Sequence, residues 1–374
     1  MSTTPNPAKT IAVWYESNQG GAQKSTIELH FNLWKLPNGN NYLRFLDIGI
    51  MIPHPAEVRQ LCIYFPFEVS PSCFEDIVGK FITDSNLVSA IFNENYTVAS
   101  EPSSKSRLIK KGDQEICDIY ETGPQNVQRQ SLFGGTVFKL NFQQRGRPVY
   151  LRFRVSGGYP ASLSITQKAA NAVVQSAFSQ TEMIDFRVNE ARDLNQDLRE
   201  EMLRQSSFTL AKVHFFFVCS YGEDIVGAHE QYAKCRNLEN YRWKSYVGND
   251  KLNHHIYLAY QWTKEKRDDF GVLIRTKFER NNRRVLATYL GVLLLITVLF
   301  SVISSYAFEF IPSSLKPHSQ PCVSSSPSSP SLPQKFSTAP RDTSLDGQSS
   351  KMPTSRASSS MPPRPPRRSS ENLR

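Results

Sequence analysis

The sequence predicts a mixed, β-rich α+β region followed by one transmembrane helix and a disordered tail. Three observations predict it. Short runs of alternating apolar and polar residues recur through the first 276 positions, residues 285–307 carry no charge, and the chain ends in a Ser/Pro-rich stretch.

The β-rich part opens with strand patterns at residues 26–36 (TIELHFNLWKL), 42–52 (YLRFLDIGIMI) and 58–69. The cluster Pro37-Asn38-Gly39-Asn40-Asn41 is a turn signal that joins the first two as a hairpin. Ser72 and Glu75 then stand at capping-box spacing. Phe74, Ile77, Val78, Phe81 and Ile82 recur at helical spacing behind them, which predicts a helix from Ser72.

A second block begins near Lys110. Residues 137–142 and 147–156 read as another hairpin, residues 165–178 and 195–205 as helices, and residues 211–220, 253–263 and 270–274 as strands. The stretch from Leu238 to Trp243 reads as an aromatic helix start that serves packing. The expected organisation is a hairpin-plus-helix subdomain (1–109) and an α+β subdomain (110–276), as one or two packed units. A basic juxtamembrane segment (277–284), the membrane helix (285–307) and the tail (308–374) follow. Glu75-Asp76-Ile77-Val78-Gly79 recurs as Glu223-Asp224-Ile225-Val226-Gly227, but the flanks do not align, so coincidence is the preferred reading over duplication.

Residues 285–307 match the length of about 20 apolar residues that a helix needs to cross a bilayer. Lys277, Arg280, Arg283 and Arg284 crowd its N-terminal side, placing the N-terminal region in the cytosol and these four residues against anionic lipid. No signal-peptide pattern precedes the first domain, which agrees. Ala287, Gly291, Leu294, Val298, Ser301 and Ser305 form one seam; its small members, Ala287, Gly291, Ser301 and Ser305, suit close helix approach and a homo-oligomer.

The formal net charge of +10 sits mostly outside the folded part. Residues from 308 onward contribute +5 and residues 264–284 contribute +4, so residues 1–263 are close to neutral, which argues against nucleic-acid binding. Six cysteines are scattered without metal spacing and read as free thiols of a reducing compartment.

No phosphate loop, dinucleotide fingerprint, nucleophile elbow or zinc-helix motif is present, so no cofactor or metal is implied. Asp250 with His254 and His255 is a polar cluster read as an ordinary surface group, because adjacent strand residues face opposite ways. His30 and His214 lie within apolar strand patterns and read as satisfied core residues. The densest polar row is Asp185, Arg187, Asn189 and Glu190, where Ile184, Phe186 and Val188 alternate to the other face. It can line a ligand groove, with cross-strand ion pairing on a solvated face as the competing reading.

In the tail, Pro362-Pro363-Arg364-Pro365-Pro366-Arg367 fits a polyproline groove, but the expected topology puts it outside the cytosol. Asn95-Tyr96-Thr97 is a sequon that this topology leaves bare. The leading expectation is a membrane-anchored cytosolic sensor or adaptor that binds an unknown ligand or protein and signals through a self-associating helix, with membrane lipids as its other partner. An extension of this reading is an effector that assembles in the membrane. The alternative is a membrane-tethered enzyme whose groups include Asp185, Arg187, Glu190 and His254 or His255.

Overall fold

A computed structural model describes residues 10–18, 24–38, 41–100, 106–141, 146–167, 179–248, 252, 256–279 and 283–309. The chain divides into two units, 1–306 and 307–374, and only residues 307–309 of the second are described.

Two mixed sheets make up the fold. The first runs in the order Glu223–Ala228 (β16), Phe270–Glu279 (β19), Ser179–Val188 (β13), Thr10–Ser17 (β1), Val58–Phe65 (β4), Gly135–Leu140 (β10) and Val127–Leu132 (β9). Ser164–Gln167 (β12) pairs with β13, and Ser206–Ser207 (β14) with β1. The second runs Lys234–Asn237 (β17), Tyr257–Arg267 (β18), Thr209–Ser220 (β15), Thr26–Asn38 (β2), Asn41–Ile52 (β3), Val149–Val155 (β11), Gln114–Ile119 (β8), Arg107–Lys111 (β7) and Thr97–Ser100 (β6). Phe74–Asp76 (β5) also pairs with β11.

The sheets face each other. Ile11, Val13, Ile63, Phe138, Phe186 and Ile274 of the first share one apolar cluster with Leu29, Phe31, Ile48, Leu151, Phe215 and Trp262 of the second. Because both faces of β1 are covered, its residues 11–15 read as a continuous apolar run without polar alternation. Helix Gln196–Arg204 (α3) lays Leu198 and Met202 on Ala12, Trp14, Cys62 and Tyr64, the outer face of the first sheet. Helices Ser85–Phe92 (α1) and Asn240–Val247 (α4) cover the outer face of the second, where Leu87, Val88, Trp243 and Tyr246 meet Trp34, Phe45 and Tyr150. A single turn, Gly158–Ser162 (α2), precedes β12.

Local chemistry explains the ends of these helices. The Asp84 carboxylate accepts from the N–H groups of Asn86 and Leu87 to start α1, and Asn93 at φ 55° ends it. Asn195 caps α3 in the same way.

The hairpin of β2 and β3, the strand at 211–220 and the helices at 195–205 and after Leu238 form as the sequence predicts. Three expectations are corrected. No helix starts at Ser72: Pro71–Cys73 and Val78–Lys80 are single 3-10 turns either side of β5. The Ile77 N–H goes to the Arg152 carbonyl and the Val78 N–H to the Asp76 carboxylate, so the donors of a continuous helix are taken.

The predicted hairpin of residues 137–142 and 147–156 is also overturned, since β10 and β11 lie in different sheets. The hairpin partner of β10 is β9, through Phe133 and Gly134 at φ 56° and 75°, a two-residue turn whose twist matches the strands. Residues 165–167 are strand where the sequence predicts a helix, and 168–178 lie outside the described residues. The two copies of EDIVG adopt different structures, a short strand entering a 3-10 turn and the strand β16, as coincidence requires.

The helix Arg283–Glu309 (α5) contains residues Ala287–Ala307, a stretch of mean hydropathy 2.2, long and apolar enough to span a membrane, with none of it buried against protein. Its rise of about 1.5 Å per residue gives the thickness of a hydrocarbon core. The Thr297 hydroxyl donates back to the Leu293 carbonyl at 2.8 Å, so this polar group is satisfied within the helix.

Candidate functional site

The outer face of the second sheet is unusually polar between its two helices. Pairing registers place Thr263, His214, His30, Gly49 and Arg152 in one row across β18, β15, β2, β3 and β11. On one side lies the row Glu265, Lys212, Glu28, Met51 and Tyr150, and on the other Gln261, Phe216, Asn32, Asp47 and Arg154. A bulge between Leu210 and Lys212 sets this register on β15.

Helix α4 closes one half of the face. Arg154 makes a two-pronged ion pair with Asp47 at 2.7 and 3.1 Å, and Asp47 also accepts from Trp34 Nε1 and the Tyr246 hydroxyl. Arg152, only 1% exposed, spends its donors on the Tyr246 hydroxyl, the Tyr150 hydroxyl and the Asn32 amide oxygen, with no carboxylate among them. Asp47 thus pairs directly with Arg154 and is linked to Arg152 through the Tyr246 hydroxyl. Gly49 makes room for this arrangement: a Cβ there would stand 2.1 Å from the Tyr150 hydroxyl.

The other half stays open. A cavity of about 490 Å³ lies between α1, the loop after it and the sheet, lined by His30, His214, Phe92, Phe216, Lys212 and Lys234 together with Glu28, Met51, Glu94, Tyr96 and Gln261. Its size suits a small organic molecule. His30 and His214 meet edge to face with ring centroids 5.1 Å apart. His214 Nδ1 has the Thr263 hydroxyl at 2.9 Å and the Gln261 amide nitrogen at 3.1 Å.

His30 differs: it is 9% exposed, touches Phe92 and Tyr150 only through ring contacts, and has no hydrogen-bonding partner among the described residues. Burial holds its imidazole far below the ordinary range, with His214, Arg152 and Lys212 adding to the effect. Burial, with Lys212, likewise takes His214 down to about 4. Both rings are neutral at physiological pH, each offering one N–H and one acceptor nitrogen.

The sequence-predicted row sits elsewhere, on the first sheet. Ile184, Phe186 and Val188 do face the inter-sheet core, and Asp185 and Arg187 point outward. Arg187 pairs with Asp185 at 2.7 Å and with Asp193, Glu190 pairs with Arg192 at 2.9 Å, and the Asn189 amide bonds both backbone groups of Val13. These four residues are brought together, with their polar groups engaged by their own chain. His254 and His255 lie outside the described residues. His30 is buried as expected of a core residue, but it also lines the cavity, which the sequence did not reveal. The signal was present as Glu28, His30 and Asn32 at alternate positions of an otherwise apolar strand.

A second buried polar cluster closes one end of the sandwich. Lys35 donates to Glu182 and Glu223 at 2.6 Å each, Arg44 also pairs with Glu182, and Thr276 donates to Glu223 at 2.6 Å. Burial alone would raise both carboxyls. The two cations beside Glu182 bring it below its ordinary value, whereas Glu223, with Lys35 as its cation, stays above.

No protein-family model matches the chain, and no curated protein matches it.

Proposed function

We propose that the chain is a membrane-anchored binding module whose ligand site is the cavity between α1 and the second sheet. The observation that carries this reading is His30. His30 lines the cavity without a hydrogen bond to any described residue, so its N–H and its acceptor nitrogen are available to a ligand there.

In this reading residues 287–307 cross the bilayer once, with the folded region cytosolic and Lys277, Arg280, Arg283 and Arg284 at anionic headgroups. The seam of Ala287, Gly291, Ser301 and Ser305 joins copies in the bilayer, so that occupancy of the cavity is conveyed as a change in assembly. The polar row at Asp185, Arg187, Asn189 and Glu190, first expected as the groove, serves the fold through its internal pairs.

Native mass spectrometry of the full-length protein, incubated with deproteinised extract of its own cells, tests the site. Wild type is expected to carry a small-molecule adduct that Met51→Trp, which fills the cavity wall, does not. No adduct, or the same adduct on both proteins, overturns the assignment.

A further inference from the structure

Resting on that cavity being the ligand site, we propose that its ligand is a small molecule built from a planar ring and an anionic group, the anion over the His30–His214 pair and the ring against Phe92 and Phe216.

Charge selects the anion. Beneath the floor, Arg154 takes the carboxylate of Asp47, and the Arg152 guanidinium makes no ion pair among the described residues. At the rim, Lys212 pairs with Glu265 at 3.3 Å, and Lys234 makes no ion pair among the described residues. The acidic residues weigh less, since Glu94 is already engaged by Lys111 at 2.7 Å and Glu28 is held above its ordinary value chiefly by burial. A cation in the same place would meet Arg152 and Lys234, which no carboxylate pairs among the described residues, with Glu28 as the lining acid outside an ion pair.

Volume and lining select the ring. A bare oxyanion would leave most of 490 Å³ and its apolar wall to water, so the ligand has an organic body. Phe92 and Phe216 offer aromatic faces, and Tyr96 a third ring, suited to a flat partner. His30, His214 and Gln261 supply donors and acceptors at fixed positions, which fits a ring that carries heteroatoms.

The test is saturation-transfer NMR on full-length protein in lipid nanodiscs. The library pairs aryl phosphates, aryl carboxylates and nucleoside monophosphates with neutral and cationic molecules on the same rings. Anionic members are expected to bind wild type and to lose their signal in Met51→Trp. Lys212→Gln, a change at a partly exposed position, is expected to weaken them about tenfold, as loss of a charged hydrogen bond does. His30→Gln is expected to weaken them as well.

Signals from neutral or cationic members that vanish in Met51→Trp would overturn the anion while keeping the cavity. Absence of any signal that depends on Met51 would overturn the cavity itself. Anion signals that are unchanged in Lys212→Gln and insensitive to salt would remove the electrostatic basis of the proposal.

Discussion

His30 stands directly across from His214 on the parallel neighbour strand, and the two imidazoles touch edge to face at the floor of an open cavity. A pair of neutral rings held this way has consequences for the fold as well as for a ligand.

Stability is expected to fall with acid. Burial takes His214 down to about 4 in the folded state, against 6.5 for an ordinary imidazole, and lowers His30 as well. The unfolded chain therefore binds more protons below about pH 6.5, and stability present at neutral pH is lost as pH falls through that window. Denaturant unfolding at about pH 7.5 and pH 5 should show the loss, and His214→Gln should make the dependence shallower. An unchanged slope in that variant would refute the attribution.

Asp47→Asn should be among the most damaging single changes. It leaves Arg152 and Arg154 buried with no carboxylate between them, a loss of about 3–5 kcal/mol. Thermal unfolding measures it. Adding Arg154→Met to the Asp47→Asn variant should recover part of the loss, whereas independent effects of the two changes would show that the charges are not coupled.

Lys35→Met removes the cation shared by Glu182 and Glu223, both at most 2% exposed. The variant should be destabilised at neutral pH and regain stability as the medium is made acidic, the opposite slope to that of the histidine pair. The sign follows because an uncompensated buried carboxyl has a folded pKa above its unfolded one, so the folded state takes up the proton first. Lower stability at every pH, without this recovery, would contradict it.

The sequon at Asn95 reports topology. Asn95 is exposed on the loop between α1 and β6, so nothing in the fold shields it. With the folded region in the cytosol it should stay unglycosylated, and glycosidase treatment should leave electrophoretic mobility unchanged. A shift would place this region on the other side of the membrane.

If the seam joins copies as proposed, Gly291→Leu should weaken self-association within the bilayer, because Gly291 is the smallest residue of the seam and permits the closest backbone approach. Cross-linking in membranes should show less oligomer for this variant than for Leu290→Ile, which leaves the seam intact. Equal yields would remove the seam as the contact.

Elements specified by neighbouring residues were legible in the sequence: the β2–β3 hairpin from its alternation and turn residues, α3 from Asn195 and the Leu198–Met202 spacing, and the span at 287–307 from its hydropathy. Elements specified by distant partners were not. β1 escaped notice because both of its faces are covered, which erases the alternation that marks a half-exposed strand. The helix expected at Ser72 had the right spacing but lost its donors to Asp76 and to the Arg152 carbonyl, the latter a partner far along the chain. The cavity was hidden for the same reason, since His30 and His214 become neighbours only through the parallel pairing of β2 with β15.

The position of β19 also bears on how the protein is made. This strand is hydrogen-bonded on both sides, to β13 and β16, yet it is the last strand among the described residues, ending at Glu279 just before α5 begins at Arg283. During synthesis the first sheet keeps a vacant interior lane, with the edges of β13 and β16 open to wrong pairing, until almost everything before the hydrophobic helix has been translated. The strand that closes the first sheet therefore leaves the ribosome just ahead of the apolar helix, so the sandwich is completed only as that helix emerges.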